Sequence, residues 1–248
     1  MPPSRTLKLT IAYDGTNYVG WQRQENGLSV QQVIEEALQP MCGDELPVVM
    51  GAGRTDAGVH ASGQVASVRV GFDHAAAAVH RALNVRLPAD IRVLSVEEAA
   101  PGFHARFDAR GKSYRYRIAT ARVPLPFDRW FVWHMPQPCD VEAMRAAAPA
   151  LIGRHDFSSF QARGATVLDG WRTLERVQVE RVGPEIQIEV DGDGFLRHMV
   201  RIIVGTLVDI GVGSRDVESL GAALAACDRQ AAGRTAPAQG LTLLEIRY

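Results

Sequence analysis

The chain has 248 residues, 46% of them hydrophobic and 22% charged, which is enough for one large domain or two small ones with a packed core. Three widely spaced cysteines, Cys42, Cys139 and Cys227, argue against a disulfide framework or a zinc ribbon, and no run of roughly 18 or more apolar residues suggests a membrane span. The net charge of -1 gives no bulk electrostatic hint of a nucleic-acid partner, so any RNA-binding surface would be a local arginine patch on a neutral protein.

The stretch Met1-Pro2-Pro3-Ser4-Arg5-Thr6-Leu7-Lys8 lacks the apolar core of a signal peptide, and with the cysteine usage it points to a reduced, cytoplasmic protein. Leu7, Leu9 and Ile11 then alternate with Lys8 and Thr10, predicting a first strand that ends near Tyr13. A loop from Asp14 to Gln24 follows. Ser29-Val30-Gln31-Gln32 reads as a capping box. It opens a helix with Val33, Ile34, Ala37 and Leu38 on one side.

Val48-Val49-Met50 reads as the end of a buried strand, and Gln64–Val70 alternates as a half-buried strand should. Between them runs Gly51-Ala52-Gly53-Arg54-Thr55-Asp56-Ala57-Gly58-Val59-His60-Ala61. Asp56 therefore falls in a tight connection of small residues that a ligand can approach closely. An ordinary β-turn with its Asp bonded to local backbone explains the composition equally well. What favours chemistry is Arg54, since a neighbouring cation keeps a carboxylate ionised, as a nucleophile must be.

Asp73 is expected to cap an Ala-rich helix running to about Leu83. Lys112–Ala119 is a clear strand, with Tyr114, Tyr116 and Ile118 on one face and Ser113, Arg115 and Arg117 on the other. The tyrosines fit a core as well as a base-stacking platform; the arginines suit phosphate or acidic side chains. Proline-rich segments at 123–128 and 135–138 mark a crossing between two halves, 1–120 and 121–248. The second half is predicted to hold a helix from Val141 to Leu151, strands at 173–182 and 185–190, a helix from Phe195 to just before Gly211, another from Val217 to Cys227, and a last strand at 241–248.

In the Phe195 helix, Phe195, Met199, Ile202, Ile203 and Thr206 would pack, while Arg197, His198 and Arg201 would share a second face. Spacing alone does not separate a surface basic cluster from an Arg201 that reaches a carboxylate or phosphate. Asp191-Gly192-Asp193-Gly194 invites a calcium-loop reading, but the bidentate Glu required at the twelfth position is Ile202. The seven histidines show no metal-ligand spacing, so no metal is expected. Strands mixed with helices that cover one sheet face predict an α+β fold.

These segments together resemble the TruA family of tRNA pseudouridine synthases. The resemblance is carried by Tyr13–Gln24, Gly53–Ala61, Arg81–Asn84, Leu87–Ile91, Lys112–Tyr116, His155–Phe160, Gly194–Arg201 and Ala236–Leu241. The Arg54–His60 and Phe195–Arg201 segments, in this order and spacing, are the specific ones. The resemblance implies two similar halves of mixed and antiparallel sheet flanked by helices, forming a pseudouridine synthase fold with a central cleft. It implies a homodimer, with no metal or organic cofactor, that isomerises uridine to pseudouridine in the anticodon arm of tRNA at positions 38, 39 and 40. It implies Asp56 as the catalytic aspartate, Tyr114 as the residue stacked on the target uracil, Arg201 as the arginine paired with the carboxylate, and Arg54 as a contact for RNA binding and base flipping. Ser29 and Thr242 depart from the usual family residues, and neither holds one of these roles.

Two other readings were open to the same residues. A non-catalytic RNA-binding protein on this scaffold would not need Asp56. An aspartyl phosphotransferase would want magnesium and further carboxylates, whereas Asp56 is the one carboxylate between Gly51 and Gly63.

Overall fold

The computed structural model describes residues 4–44, 46–162, 164 and 169–248; the first three residues of the stretch read for a signal peptide lie outside the described residues. The architecture is α+β, with mostly antiparallel strands flanked by helices. The chain divides into two compact units. One runs to Arg110 and includes Leu243–Tyr248; the other is Gly111–Thr242.

The first unit is built on β1 (Arg5–Tyr13), which pairs antiparallel with β3 (His60–Val70) on one side and β4 (Ile91–Glu98) on the other. Leu7, Leu9, Ile11 and Tyr13 face inward as the alternation predicts. A short β2 (Val49–Gly51) also pairs with β3. Only its Val49 is buried, while Val48 and Met50 are exposed, so this is not the buried strand expected. The departure at β3 is the reverse: Val65, Ala66, Ser67 and Val68 are all buried. The face expected to meet solvent is covered, because the Ala105 N–H donates to Ser67 Oγ at 3.1 Å.

Helix α1 (Val30–Cys42) is capped by Ser29, whose Oγ accepts the Gln32 N–H at 3.2 Å. The reciprocal arm of the capping box is not formed, since the Gln32 side chain bonds Glu36 at 2.8 Å instead. Val30, Ile34, Ala37 and Leu38 are buried, and so is Glu35. That carboxylate is tolerated because it accepts the Val49 N–H at 3.1 Å, the Gln31 amide at 3.0 Å and the Arg23 guanidinium at 3.2 Å, as a buried charge requires. Helix α2 (Ala76–Arg86) starts after Ala75 with no side-chain cap. Asp73 lies too far ahead of the first turn to serve its N–H groups.

In the second unit the strands lie in the order β5 (Gly111–Ala119), β9 (Glu185–Gly192), β8 (Trp171–Val182), β7 (Gly153–Asp156), all antiparallel, with β6 (Trp133–His134) parallel to β5. β5 belongs here, on the far side of the 120/121 division read from sequence, because it pairs with β9 from Lys112 to Ala119. Asp140 caps α3 (Val141–Ala147), which tightens into a 3-10 turn at Ala148–Leu151 around Pro149.

Helix α4 (Met199–Gly211) begins four residues later than predicted and ends one residue later, within Gly211. The Asp193 N–H and carboxylate are held by Thr173, at 3.1 and 3.0 Å, and His198 takes a left-handed conformation at φ 61°. The chain therefore turns before it can coil. Met199, Ile202, Ile203 and Thr206 are buried as expected. Phe195, Arg197 and His198 are not helical, so the basic helical face expected of Arg197, His198 and Arg201 does not exist. Helix α5 (Ser219–Ala226) follows, and β10 (Leu241–Arg247) carries the chain back to the first unit.

Candidate active site

In the first unit, the β2–β3 connection is held from two directions. From the side, the Trp21 N–H donates to the Thr55 carbonyl at 3.1 Å, the Gly58 N–H to the Tyr18 carbonyl at 3.4 Å, and Gly20 forms an antiparallel bridge with Asp56. The Val59 N–H closes a turn onto the Asp56 carbonyl at 3.1 Å, and Gly58 supplies the φ of 76° that the turn needs. From beneath, the Tyr13 hydroxyl meets Thr55 Oγ1 at 2.8 Å and the Gln64 amide donates to the Gly53 carbonyl at 2.9 Å. Tyr13, Thr55 and Gln64 are buried, whereas Asp56 is partly exposed and Arg54 exposed. The sequence thus places its candidate carboxylate on a rigid turn with the neighbouring Arg54 facing solvent.

His60 is a structural residue. Its Nδ1 lies 3.0 Å from the Gly15 N–H and 3.1 Å from Asp14 Oδ1. One nitrogen cannot accept from the first and donate to the second. Asp14 Oδ1 already accepts the Thr16 N–H and hydroxyl, at 3.0 and 2.5 Å. The buried Gly15 N–H is therefore the partner that fits, with the ring proton on Nε2.

In the second unit, Tyr114 stands on β5 opposite Val190. It is 7% exposed, and its ring meets Phe195 edge-on at 5.1 Å. Tyr116, two residues on, is fully buried and donates its hydroxyl to the Pro237 carbonyl at 2.7 Å. Burial pushes its pKa far above the usual tyrosine range, with the Arg201 charge opposing that shift. Arg201 sits in the first turn of α4. Its Nε donates to the Ala236 carbonyl at 2.8 Å, while the Ala236 N–H returns a bond to the Arg201 carbonyl at 3.0 Å. Gly240 has no side chain because a Cβ there would fall 2.5 Å from the Tyr116 ring. Tyr114 and Tyr116 thus share an inward face of β5, and Tyr116 is held by the same segment that bonds Arg201.

The opposite face of β5 meets acidic side chains. Arg115 forms two bonds to Glu189, at 2.9 and 2.7 Å; Arg117 does the same with Glu185, at 2.9 and 2.6 Å, and reaches Asp128 at 3.3 Å. The hydrogen bonds from Arg117 lower the Glu185 pKa against the desolvation that raises it.

The structure therefore brings Arg54 and Asp56 together in one loop of the first unit, and Tyr114 and Arg201 near Tyr116 in the second. Sequence reading passed over Tyr13, Trp21 and Gln64 as supports of the Asp56 loop. One signal was available: Gln64 is a long polar side chain in a strand that follows directly on the Asp56 loop. Among the described residues no group of three or more His, Cys, Asp or Glu side chains has a metal-holding arrangement, and no helix is long and apolar enough to cross a membrane.

Comparison with known proteins bears on the family of the chain. The family model described as tRNA pseudouridine synthase matches residues 9–108 and 147–248. The tRNA pseudouridine synthase A of Moorella thermoacetica is 50% identical over 247 residues, covering 98% of this chain and 99% of that one. The enzyme of that name from Syntrophotalea carbinolica is 48% identical over 242 residues, covering 98% and 96%. The one from Rhodospirillum rubrum is 47% identical over 242 residues, covering 97% and 87%.

Proposed function

Because this chain belongs to the tRNA pseudouridine synthase family, we propose that it isomerises uridine to pseudouridine in the anticodon arm of tRNA, at positions 38, 39 and 40, with Asp56 as the catalytic carboxylate. The observation that carries the reading is the near-full-length identity of about half to proteins named tRNA pseudouridine synthase A. Asp56 is the only carboxylate in the loop from Gly51 to Gly63, which fits it to the reacting role.

The reaction breaks the bond from uracil N1 to ribose C1′, turns the ring, and joins C5 to C1′. The C5 hydrogen leaves as a proton and N1 gains one. Nothing is oxidised and no group is acquired, so the chemistry asks for no metal or organic cofactor. It asks for an ionised carboxylate held close, acting as nucleophile or proton acceptor. In this reading Arg201 is the cation that answers the carboxylate, Tyr114 offers its ring to the uracil, and Arg54 contacts the RNA. Extruding the base costs a few kcal/mol, and an aromatic stack worth roughly 1–3 kcal/mol offsets part of it. The protein works as a homodimer in the cytoplasm, on two domains: the N-terminal one carries the Asp56 loop and the C-terminal one carries Tyr114 and Arg201.

Tritium release from tRNA labelled at C5 of uridine tests this, because forming the new C–C bond expels that hydrogen. The wild type should release tritium and Asp56→Asn should release none while still binding tRNA. Release by the variant would move catalysis to another residue. No release by either protein, on tRNA bearing unmodified anticodon-arm uridines, would leave an RNA-binding protein.

A further inference from the structure

We propose that Tyr13 is a positioning residue for this reaction: its hydroxyl, bonded to Thr55 Oγ1 and backed by Gln64, sets where the Asp56 carboxylate stands. The inference rests on the reading of Asp56 as the reacting group. Thr55 immediately precedes Asp56, and the peptide between them is fixed at its carbonyl by the Trp21 N–H at 3.1 Å. The Gly20 bridge and the Val59 N–H hold the Asp56 backbone on its other side, and the 2.8 Å contact of Thr55 Oγ1 with the Tyr13 hydroxyl ties the turn from beneath. The Gln64 side chain also hydrogen-bonds Tyr13, and its Nε2 donates to the Gly53 carbonyl at 2.9 Å. Tyr13 and Gln64 come from adjacent paired strands, β1 and β3. The loop is thereby referenced to the paired strands of the sheet.

The arrangement costs stability unless it does something. Tyr13, Thr55 and Gln64 are 4%, 7% and 0% exposed, and an apolar trio would fill the same space without desolvating three polar groups. Burial pushes the Tyr13 hydroxyl up to about 12. It therefore keeps its proton throughout the neutral range and stays a hydrogen-bonding partner. None of the three reaches the loop's outer surface, where Asp56 is partly exposed, so they act through Thr55 and Gly53 and not on the substrate. The reaction is sensitive to such support, because displacing a reacting group by about 1 Å costs on the order of 100-fold in rate.

The test compares Tyr13→Phe, Thr55→Val and the double variant with wild type and Asp56→Asn. Single-turnover tritium release, tRNA affinity and thermal midpoint are measured for each. Both single variants should slow release about tenfold or more and leave tRNA affinity within about twofold. Tyr13→Phe takes the tyrosine hydroxyl from both Thr55 and Gln64 and should lower the midpoint; Thr55→Val leaves that hydroxyl on Gln64 and should lower it less. The double variant no longer strands the Thr55 hydroxyl and should regain part of the midpoint lost in Tyr13→Phe, but its rate should stay low, because nothing now references Thr55 to the sheet. A rate that recovers with the midpoint, or single variants at wild-type rate, would overturn the proposal and leave the pair as a structural tie. Should Tyr13→Phe fail to fold, Thr55→Val and the double variant carry the same readout. Tritium release by Asp56→Asn would instead refute the role of Asp56, an outcome separate from the behaviour of Tyr13.

Discussion

Arg201 and Ala236 exchange two hydrogen bonds across 35 residues of chain, Nε to carbonyl at 2.8 Å and N–H to carbonyl at 3.0 Å. A guanidinium whose Nε is fixed has its plane fixed as well, so its two terminal nitrogens present a preset fork. That is the geometry a carboxylate uses best. Lysine keeps the charge but has neither the Nε–H nor the plane. Arg201→Lys should therefore cut the rate of tritium release by roughly tenfold or more, in line with the loss of one charge-assisted hydrogen bond worth about 1.5–3 kcal/mol. Unchanged release would remove Arg201 from the reaction. At this scale sequence reading could put Arg54 and Asp56 in one loop, because they lie two residues apart. Spacing could not choose a role for Arg201, because the partner that orients it, Ala236, is distant in the chain. Tyr114 and Tyr116 stayed open for the same reason. Both proved buried, and what encloses Tyr116 is the segment around Pro237 and Gly240.

At the scale of elements, local pattern predicted the strands β1, β5, β8, β9 and β10 and the body of α1 well, since their alternation or period is set by a single dominant face. It failed where a distant segment intervenes. β3 reads as half-buried, yet Ala105 lies on its second face. The α4 start reads as Phe195, yet Asp193 is pinned to Thr173 and the chain turns at His198 before the helix begins. The Asp14–Gln24 loop was legible as a loop only. Its use is to brace the Asp56 turn, and Gly20 is where the two meet. Gly20 has φ 109°, and a Cβ there would stand 2.5 Å from the Thr55 carbonyl oxygen. Alanine at this position must both adopt a conformation glycine alone takes easily and push the turn away. Gly20→Ala should destabilise the protein by about 1–3 kcal/mol and slow tritium release beyond what the lost folded fraction explains. Both are read by comparing urea unfolding with rates measured well below the transition. A stability loss with the rate intact would mean that the turn tolerates displacement.

For the whole molecule the question is how a chain of net charge -1 holds a polyanion. All but two of its 27 cations are arginine, and many are already engaged. Arg115 and Arg176 share Glu189, Arg117 is bonded to Glu185 and Asp128, and Arg215 and Arg234 both reach Asp209. Such pairs cancel at a distance and release no counterions when RNA binds. Affinity must then come from arginines placed against phosphate, and neutralising each phosphate adds about 0.7–0.9 to the slope of log affinity against log salt. Three such contacts would weaken tRNA binding roughly 20–40-fold between 50 and 200 mM salt, despite the near-zero net charge. Arg54, exposed beside Asp56, is the cation expected to contribute. Arg54→Gln should reduce the slope by close to one contact. Arg115→Gln, which removes a guanidinium held by Glu189 at 2.7 Å, should leave the slope as it was. Filter binding across a salt series separates the two. A flat wild-type response would mean that phosphate contacts do not supply the affinity; equal effects of the two variants would mean that the ion pairs of β5 open when tRNA arrives.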